Sequence, residues 1–224
     1  ADDLGFNRQV TDGIILCHVK GCVTSATMMA HMPAAEYAAE KVKDLPGLSV
    51  GIHLSLNTGK PLSDPKDIPA LVDTRGNFKP THEIVRLAKK CKLPTNQVQR
   101  EFEAQIEKFL NLGLVPSHCD SHQNITVNPQ PFIAMLRATE KFNIKKLRTY
   151  RGWYRTATFT KGRFENFMKT AVVNFRRSPK QIFYSLQHYY LKYRGYTMPD
   201  EKTGFHKFTG IENLDHSIKQ WEYF

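Results

Sequence analysis

The stretch of residues 21–56, GCVTSATMMAHMPAAEYAAEKVKDLPGLSVGIHLSL, contains the pattern that decides the fold. Residues 21–29 are apolar and rich in β-branched side chains, which is typical of a buried strand. Residues 33–43 predict a helix that begins near a proline and ends before a Leu-Pro-Gly turn. Residues 49–56 predict a second buried strand. Strands and helices that alternate at this spacing favour a parallel α/β architecture.

The same alternation continues on both sides of this unit. Helices are predicted over residues 7–20, 82–91, 95–113 and 131–142, and strands over 115–121 and 146–150. The third of these helices, with a cap at Thr95 or Asn96, has the clearest apolar stripe. That stripe consists of Val98, Phe102, Ile106 and Phe109. From residue 151 onward the chain is helical and aromatic in pattern, and we expect extra helices on the same domain.

Composition and charge restrict the class of protein. The 224 residues have ordinary globular composition and predict one domain over residues 1–224. No apolar run approaches the roughly 20 residues that span a bilayer, so no membrane partner is expected. The net charge of +11 lies entirely in residues 141–224, which hold 17 Lys and Arg against 6 Asp and Glu. Because these basic residues are scattered, a solvated basic face is favoured over a nucleic-acid surface.

Cysteine usage bears on the compartment. The chain contains no CxxC pair, and this indicates neither a disulfide framework nor a zinc knuckle. We therefore expect a protein of the reducing cytoplasm. The four cysteines are Cys17, Cys22, Cys91 and Cys119.

Two groups of candidate residues lie near the ends of predicted strands. Asp2 and Asp3 are adjacent carboxylates, which are costly to place together unless a cation or a shared proton relieves them. An extended chain aims them in opposite directions, so one could bind a metal and the other a proton; the alternative is an exposed acidic terminus. His53 lies in an apolar strand, where a lone histidine is more often a hydrogen-bonded core residue than a ligand.

Residues 117–122, SHCDSH, form the third group. On an extended chain His118, Asp120 and His122 share one face. Imidazole and carboxylate groups are ligands for zinc or another divalent first-row metal, and a carboxylate can instead orient a histidine. Core packing explains this pattern poorly, so it favours a functional site. The remaining histidines lack ligand-like spacing and are interpreted as surface or packing residues: His18, His31, His82, His188, His206 and His216.

Taken in order, these segments resemble the YdjC-like carbohydrate deacetylase family, which includes the chitooligosaccharide deacetylases. The resemblance is continuous over residues 1–150 and thin beyond them. It is carried by ADDLG (1–5), GCVTS (21–25), VGIHL (50–54), TGKPL (58–62), PALVD (69–73), EAQ (103–105) and PSHCDSH (116–122).

The resemblance implies a distorted TIM-like (β/α) barrel and a metal-dependent hydrolase that removes acetyl groups from N-acetylated sugars. By position, Asp3, His53 and His122 would bind one divalent ion, Mg or Zn. Asp2 would be the general base for the attacking water. Asp120 and His118 would lie just behind or beside the metal. The partner would be a small-molecule N-acetylated sugar, and a homodimer is left open.

The sequence departs from the family pattern at three places, and these departures leave two interpretations of the chain open. His122 is followed by Gln-Asn-Ile-Thr where the family has further histidines, the chain has no His-Pro pair to supply the late catalytic histidine, and the strand leading into Asp2 is absent. We therefore expect a fragment of a longer protein whose barrel lacks its terminal strands here. The alternative is a degenerate, non-catalytic carbohydrate-binding relative without the proton-donating histidine.

Overall fold

The structure is a computed structural model, and it describes residues 1–148 and 182–199. The chain divides into two compact units. One comprises residues 1–148 with 195–198, and the other comprises residues 149–194 with 199–224. In the second unit residues 182–193 are helical, as expected for this part of the chain. The rest of the aromatic region lies outside the described residues, and a single domain over 1–224 stays a prediction.

Helices and strands alternate along the first unit. In chain order they are α1 (Arg8–Lys20), β1 (Ser25–Met28), α2 (Ala35–Lys43), β2 (Ser49–Leu54), α3 (Thr81–Lys89), α4 (Thr95–Asn111), β3 (Cys119–Ser121), a 3-10 helix (His122–Val127) and α5 (Pro129–Lys141). Every helix predicted before residue 143 is present. The strands are shorter than predicted. In β1 the cause is local, because the amide of Val23 donates to the carbonyl of Cys17 and so residues 21–23 close the end of α1.

The strands form a parallel sheet in the order β1-β2-β3. Single parallel bridges extend the ladder, from Leu4 to Met28 on one side and from Cys119 to Leu147 on the other. The predicted parallel α/β architecture is therefore confirmed. Of the strand predicted over 146–150, the structure shows bridges at its first two residues, and its last two lie outside the described residues. The sheet does not close into a barrel within the described residues.

Helix α4 covers the sheet with the apolar stripe that the sequence predicts. Its four members, Val98, Phe102, Ile106 and Phe109, have no exposed surface. The predicted side-chain cap at Thr95 or Asn96 is wrong. The N-cap is Pro94, whose carbonyl accepts the amides of Gln97 and Val98, and no side chain caps the helix.

The parallel arrangement gathers polar residues at one edge. Residues 1–4 run beside β1, and the carboxyl ends of β1, β2 and β3 meet at the same side of the sheet. In open α/β sheets this is the edge where ligands bind. Across the stretches that the structure describes, none of the helices has the length and apolar character needed to cross a bilayer.

Candidate metal centre

Asp3, His53 and His122 meet at this edge. Each offers one ligand atom, and the three atoms lie within 4.8 Å of one another. Asp3 Oδ1 is 3.3 Å from His53 Nε2 and 2.9 Å from His122 Nδ1. The three side chains come from the N-terminal segment, from β2 and from the start of the 3-10 helix that follows β3. The structure thus brings together the three residues that the resemblance implied as metal ligands.

The backbone of Asp3 is strained. Its φ is +69°, a left-handed conformation that residues other than glycine rarely adopt. The chain turns at once, because the amide of Phe6 donates to the Asp3 carbonyl at 3.1 Å. Such strain is concentrated at functional sites, where surrounding contacts hold it in place. Here the turn directs the carboxylate toward His53 and His122.

Sheet register places Asp120 behind His53. The two residues are partners in the β2–β3 ladder, so their side chains lie next to each other on one face. His53 Nδ1 donates to Asp120 Oδ1 at 2.5 Å, and Thr27 Oγ1 donates to Asp120 Oδ2 at 3.4 Å. Both His53 and Asp120 are almost wholly buried. A carboxylate on one ring nitrogen fixes the imidazole and leaves the other nitrogen for a metal.

Charges within this cluster stabilise one another. Hydrogen bonds from His122 and then His53 hold the pKa of Asp3 well below its usual value, although partial burial opposes them. Burial alone would lower the pKa of His53, but hydrogen bonds with Asp120 and Asp3 outweigh it and raise that pKa to about 9. These pKa directions favour an imidazolium at His53 beside an ionised Asp3 carboxylate.

Arg148 joins the two remaining carboxylates of the site. Its Nη2 lies 2.5 Å from Asp2 Oδ1, and its Nη1 donates to Asp2 Oδ2 at 2.9 Å. The same Nη1 lies 2.7 Å from Asp120 Oδ2. The guanidinium thus links Asp2, the predicted base, to Asp120, which orients His53. Two parallel N–H···O contacts of this kind fix the plane of the Asp2 carboxylate.

His118 lies on the Asp120 face but outside the triad. Its Nδ1 is 2.8 Å from Ser117 Oγ, and its ring packs over Gly51, where a Cβ would stand 2.6 Å from His118 Cε1. Burial lowers the pKa of His118, and Asp120 is the largest charge that opposes this effect. Within residues 118–122 only Cys119–Ser121 form a strand, and this strand places Asp120 beside His53. His122 reaches the site from the 3-10 helix after β3.

A polar rim surrounds the triad. Asn57 Nδ2 donates to Gln123 Oε1 at 2.9 Å, and Gln123 directly follows His122 in a left-handed conformation. His31 Nε2 donates to the carbonyl of Thr58 at 2.9 Å. Burial lowers the pKa of His31 to about 4, so this imidazole is neutral at pH 7. The interpretation of His31 as a surface or packing residue stays a prediction.

Sequence reasoning missed Thr27 and Arg148. Thr27 lies in a strand that the sequence predicted only as buried, and in the structure its Oγ1 is 3.1 Å from His53 Nδ1. The signal that could have identified it is a polar side chain within an apolar strand, where alternate residues face opposite sides of the sheet. Arg148 lies in the middle of the strand predicted over residues 146–150. It was not singled out because it is one of 17 Lys and Arg residues scattered over residues 141–224.

The donor set fits a metal. Two imidazoles and one carboxylate that leave further positions open are typical of a catalytic zinc site. Magnesium prefers an octahedral shell of oxygens, which these residues supply less well. The carboxylate behind His53 adds the outer contact found at such sites.

Comparisons with known proteins agree with these features. A family model described as YdjC-like protein matches residues 1–222. The carbohydrate deacetylase of Geobacillus stearothermophilus is 40% identical over 153 residues, which are 67% of this chain and 59% of that protein. The carbohydrate deacetylase of Oceanobacillus iheyensis is 43% identical over 125 residues, which are 56% and 52% of the two chains.

A solved structure shares the fold. It is a protein of Enterococcus faecalis assigned to cellobiose-phosphate cleavage, with a TM-score of 0.71 and 26% identity over 98% of this chain and 73% of that one. The alignments with these two curated relatives span between half and three fifths of their length.

Proposed function

The chain belongs to the YdjC-like protein family, and on that premise we propose that it is the greater part of a metal-dependent carbohydrate deacetylase. The substrate class is an N-acetylated sugar, such as a chitooligosaccharide, and the reaction is hydrolysis of its acetamide. The names of the relatives support the class of reaction. The fold proposed for the whole protein is the distorted (β/α) barrel, of which the parallel sheet forms part.

The observation that carries the proposal is the convergence of Asp3, His53 and His122, with Asp120 behind His53. We assign the first three as metal ligands. A divalent ion held there would polarise the amide carbonyl and lower the pKa of a bound water. Asp120 keeps His53 Nε2 directed at the site by holding Nδ1.

Asp2 is the proposed general base. It is adjacent to the ligand Asp3, and Arg148 fixes the orientation of its carboxylate through two contacts. Its side chain is 43% exposed, so water reaches it. A carboxylate that takes a proton from the attacking water completes the requirements for amide hydrolysis, apart from the acid that protonates the departing amine. His118 lies on the same face as Asp120, and we propose that it stands beside the metal without binding it.

Acetate release from an N-acetylglucosamine disaccharide tests this function in the full-length protein. Asp2→Asn should lower kcat by about 10²- to 10⁴-fold, as expected for loss of a general base, while metal content stays unchanged. Asp67→Asn is the matched control, because Asp67 also pairs with an arginine, Arg100, at 2.7 Å, in an exposed pair that includes none of the residues assigned to the site. Equal activity in wild type and Asp2→Asn would contradict the assignment. Sugar binding without acetate release in the wild type would instead support the non-catalytic relative.

A further inference from the structure

The side chain of Gln105 binds the backbone of the residue that follows β2. Its Oε1 accepts the Ser55 amide at 2.9 Å, and its Nε2 donates to the Ser55 carbonyl at 2.7 Å. Backbone pairing between β2 and β3 ends one residue earlier, at Leu54 and Ser121. The amide of Gln105 therefore takes the place of the next strand residue. Both Gln105 and Ser55 are buried, so water does not compete for these bonds.

Glu101, one turn earlier on α4, fixes the direction of that amide. Its Oε1 accepts from Gln105 Nε2 at 2.8 Å and from the Leu62 amide at 3.1 Å, and its Oε2 accepts the Ser63 amide at 2.9 Å. The carboxylate has no exposed surface, and burial raises its pKa. A buried carboxylate is costly unless its oxygens are hydrogen-bonded, and here donors from two segments meet this need.

These two side chains hold both ends of residues 55–63. The segment begins two residues after His53, which is one member of the triad. It also contains Asn57, which binds Gln123 next to His122. The Gln105–Glu101 pair therefore connects helix α4 to the backbone that bears or adjoins two of the three triad residues.

We propose that Gln105 and Glu101 are positioning residues of the metal centre, which keep the end of β2 and residues 55–63 in register with Asp3 and His122. The proposal rests on the proposed function in one respect, because it takes the triad as a metal site. Neither side chain touches the triad, so their effect passes through the Ser55 backbone and Asn57.

Zinc affinity of the full-length protein tests the proposal, with Gln105→Met against the matched control Gln99→Met. Gln99 lies on the same helix and donates to a glutamate four residues on, Glu103, at 2.7 Å, but it binds no backbone of residues 55–63. We expect Gln105→Met to weaken zinc binding about 10- to 100-fold, the range for groups that orient metal ligands, and to lower kcat with KM less changed. Gln99→Met should match the wild type. Equal zinc affinity in the two variants, both folded by circular dichroism, would overturn the proposal.

If Gln105→Met does not fold, Glu101→Gln is the test variant and Glu103→Gln is its matched control. Glu101→Gln keeps one acceptor oxygen but places an NH₂ group against a backbone amide of residues 62–63, which also donates. We therefore expect Glu101→Gln to weaken zinc binding and Glu103→Gln to leave it unchanged. Nitrogen NMR shifts of the His53 ring separate this proposal from the proposed function. If wild type binds no zinc or releases no acetate, a His53 shift in Gln105→Met but not in Gln99→Met still supports positioning, and no shift in either overturns it.

Discussion

Arg148 contacts two of the three carboxylates of the site. It contacts both Asp2 and Asp120, and Asp120 in turn holds His53. One guanidinium thereby orients a proposed base and a proposed ligand together. This geometry needs a planar group with donors in a fixed fork, which lysine does not provide.

Arg148→Lys should therefore lower kcat for acetate release by about 10- to 100-fold, because one ammonium cannot hold both carboxylates in place. The measurement is steady-state kinetics, with Arg100→Lys as the control at the exposed pair with Asp67. Equal losses in the two variants would show that the Arg148 contacts have no special role.

Gly51 makes room for the ring of His118. A Cβ at Gly51 would meet His118 Cε1 at 2.6 Å and the His118 carbonyl oxygen at 2.7 Å. Gly51→Ala should lower the free energy of unfolding by about 1 to 3 kcal/mol, the usual cost of overpacking. Gly13→Ala is the control, because nothing lies within 4 Å of its added methyl and alanine should stabilise helix α1 by about 0.5 to 1 kcal/mol. Urea denaturation measures both, and a neutral Gly51→Ala would contradict the packing described.

At the scale of elements, the segments between strand and helix shape the site as much as the sheet does. His31 follows β1 and binds the carbonyl of Thr58, which lies in the segment after β2. This bond ties the ends of two neighbouring strands together at the edge that carries the triad. It uses a neutral imidazole, because burial holds the pKa of His31 at about 4.

The low pKa of His31 predicts acid sensitivity. Between pH 6.5 and 4 the unfolded chain protonates this histidine while the folded chain does not, so stability is lost as pH falls. The loss between pH 7 and pH 5 should be about 2 kcal/mol. His31→Gln, which keeps an N–H for Thr58, should remove this part of the slope, and the exposed His82→Gln should not. Urea denaturation at both pH values with a chelator present measures it; parallel slopes in wild type and His31→Gln would contradict it.

Periodicity predicted the helices, and the alternation of helices and strands predicted the parallel α/β architecture of this unit. The metal triad was reached through a resemblance, since its members are 50 and 69 residues apart in the chain. The hydrogen bond from His53 to Asp120 depends on the register between β2 and β3, which no local sequence pattern encodes. Arg148, Gln105 and Glu101 were not predicted as site residues, because their partners are distant in sequence and their residue types are common on surfaces.

At the scale of the molecule, the proposed metal joins segments that are far apart in the chain. Asp3 belongs to the first residues, His53 to β2 and His122 to the 3-10 helix after β3. An ion bound to all three closes long loops of the chain, and it binds the folded state in preference to the unfolded one.

Zinc should therefore raise the thermal midpoint of the protein. At a free concentration of about 100 times Kd the stabilisation is about 2.7 kcal/mol, which corresponds to a rise of about 5 to 10 °C for a chain of this size. His122→Ala should lose this rise. Differential scanning calorimetry with and without chelator measures the effect, and an equal rise in wild type and His122→Ala would place zinc elsewhere.

Metal content by elemental analysis tests the central claim most directly. The purified protein, loaded with zinc and dialysed, should retain one equivalent of metal, and the exposed-histidine variant His82→Ala should retain the same. His53→Ala and His122→Ala should each lose most of it, because each removes one of three ligands. Unchanged metal content in both of these variants would contradict the assignment of the triad.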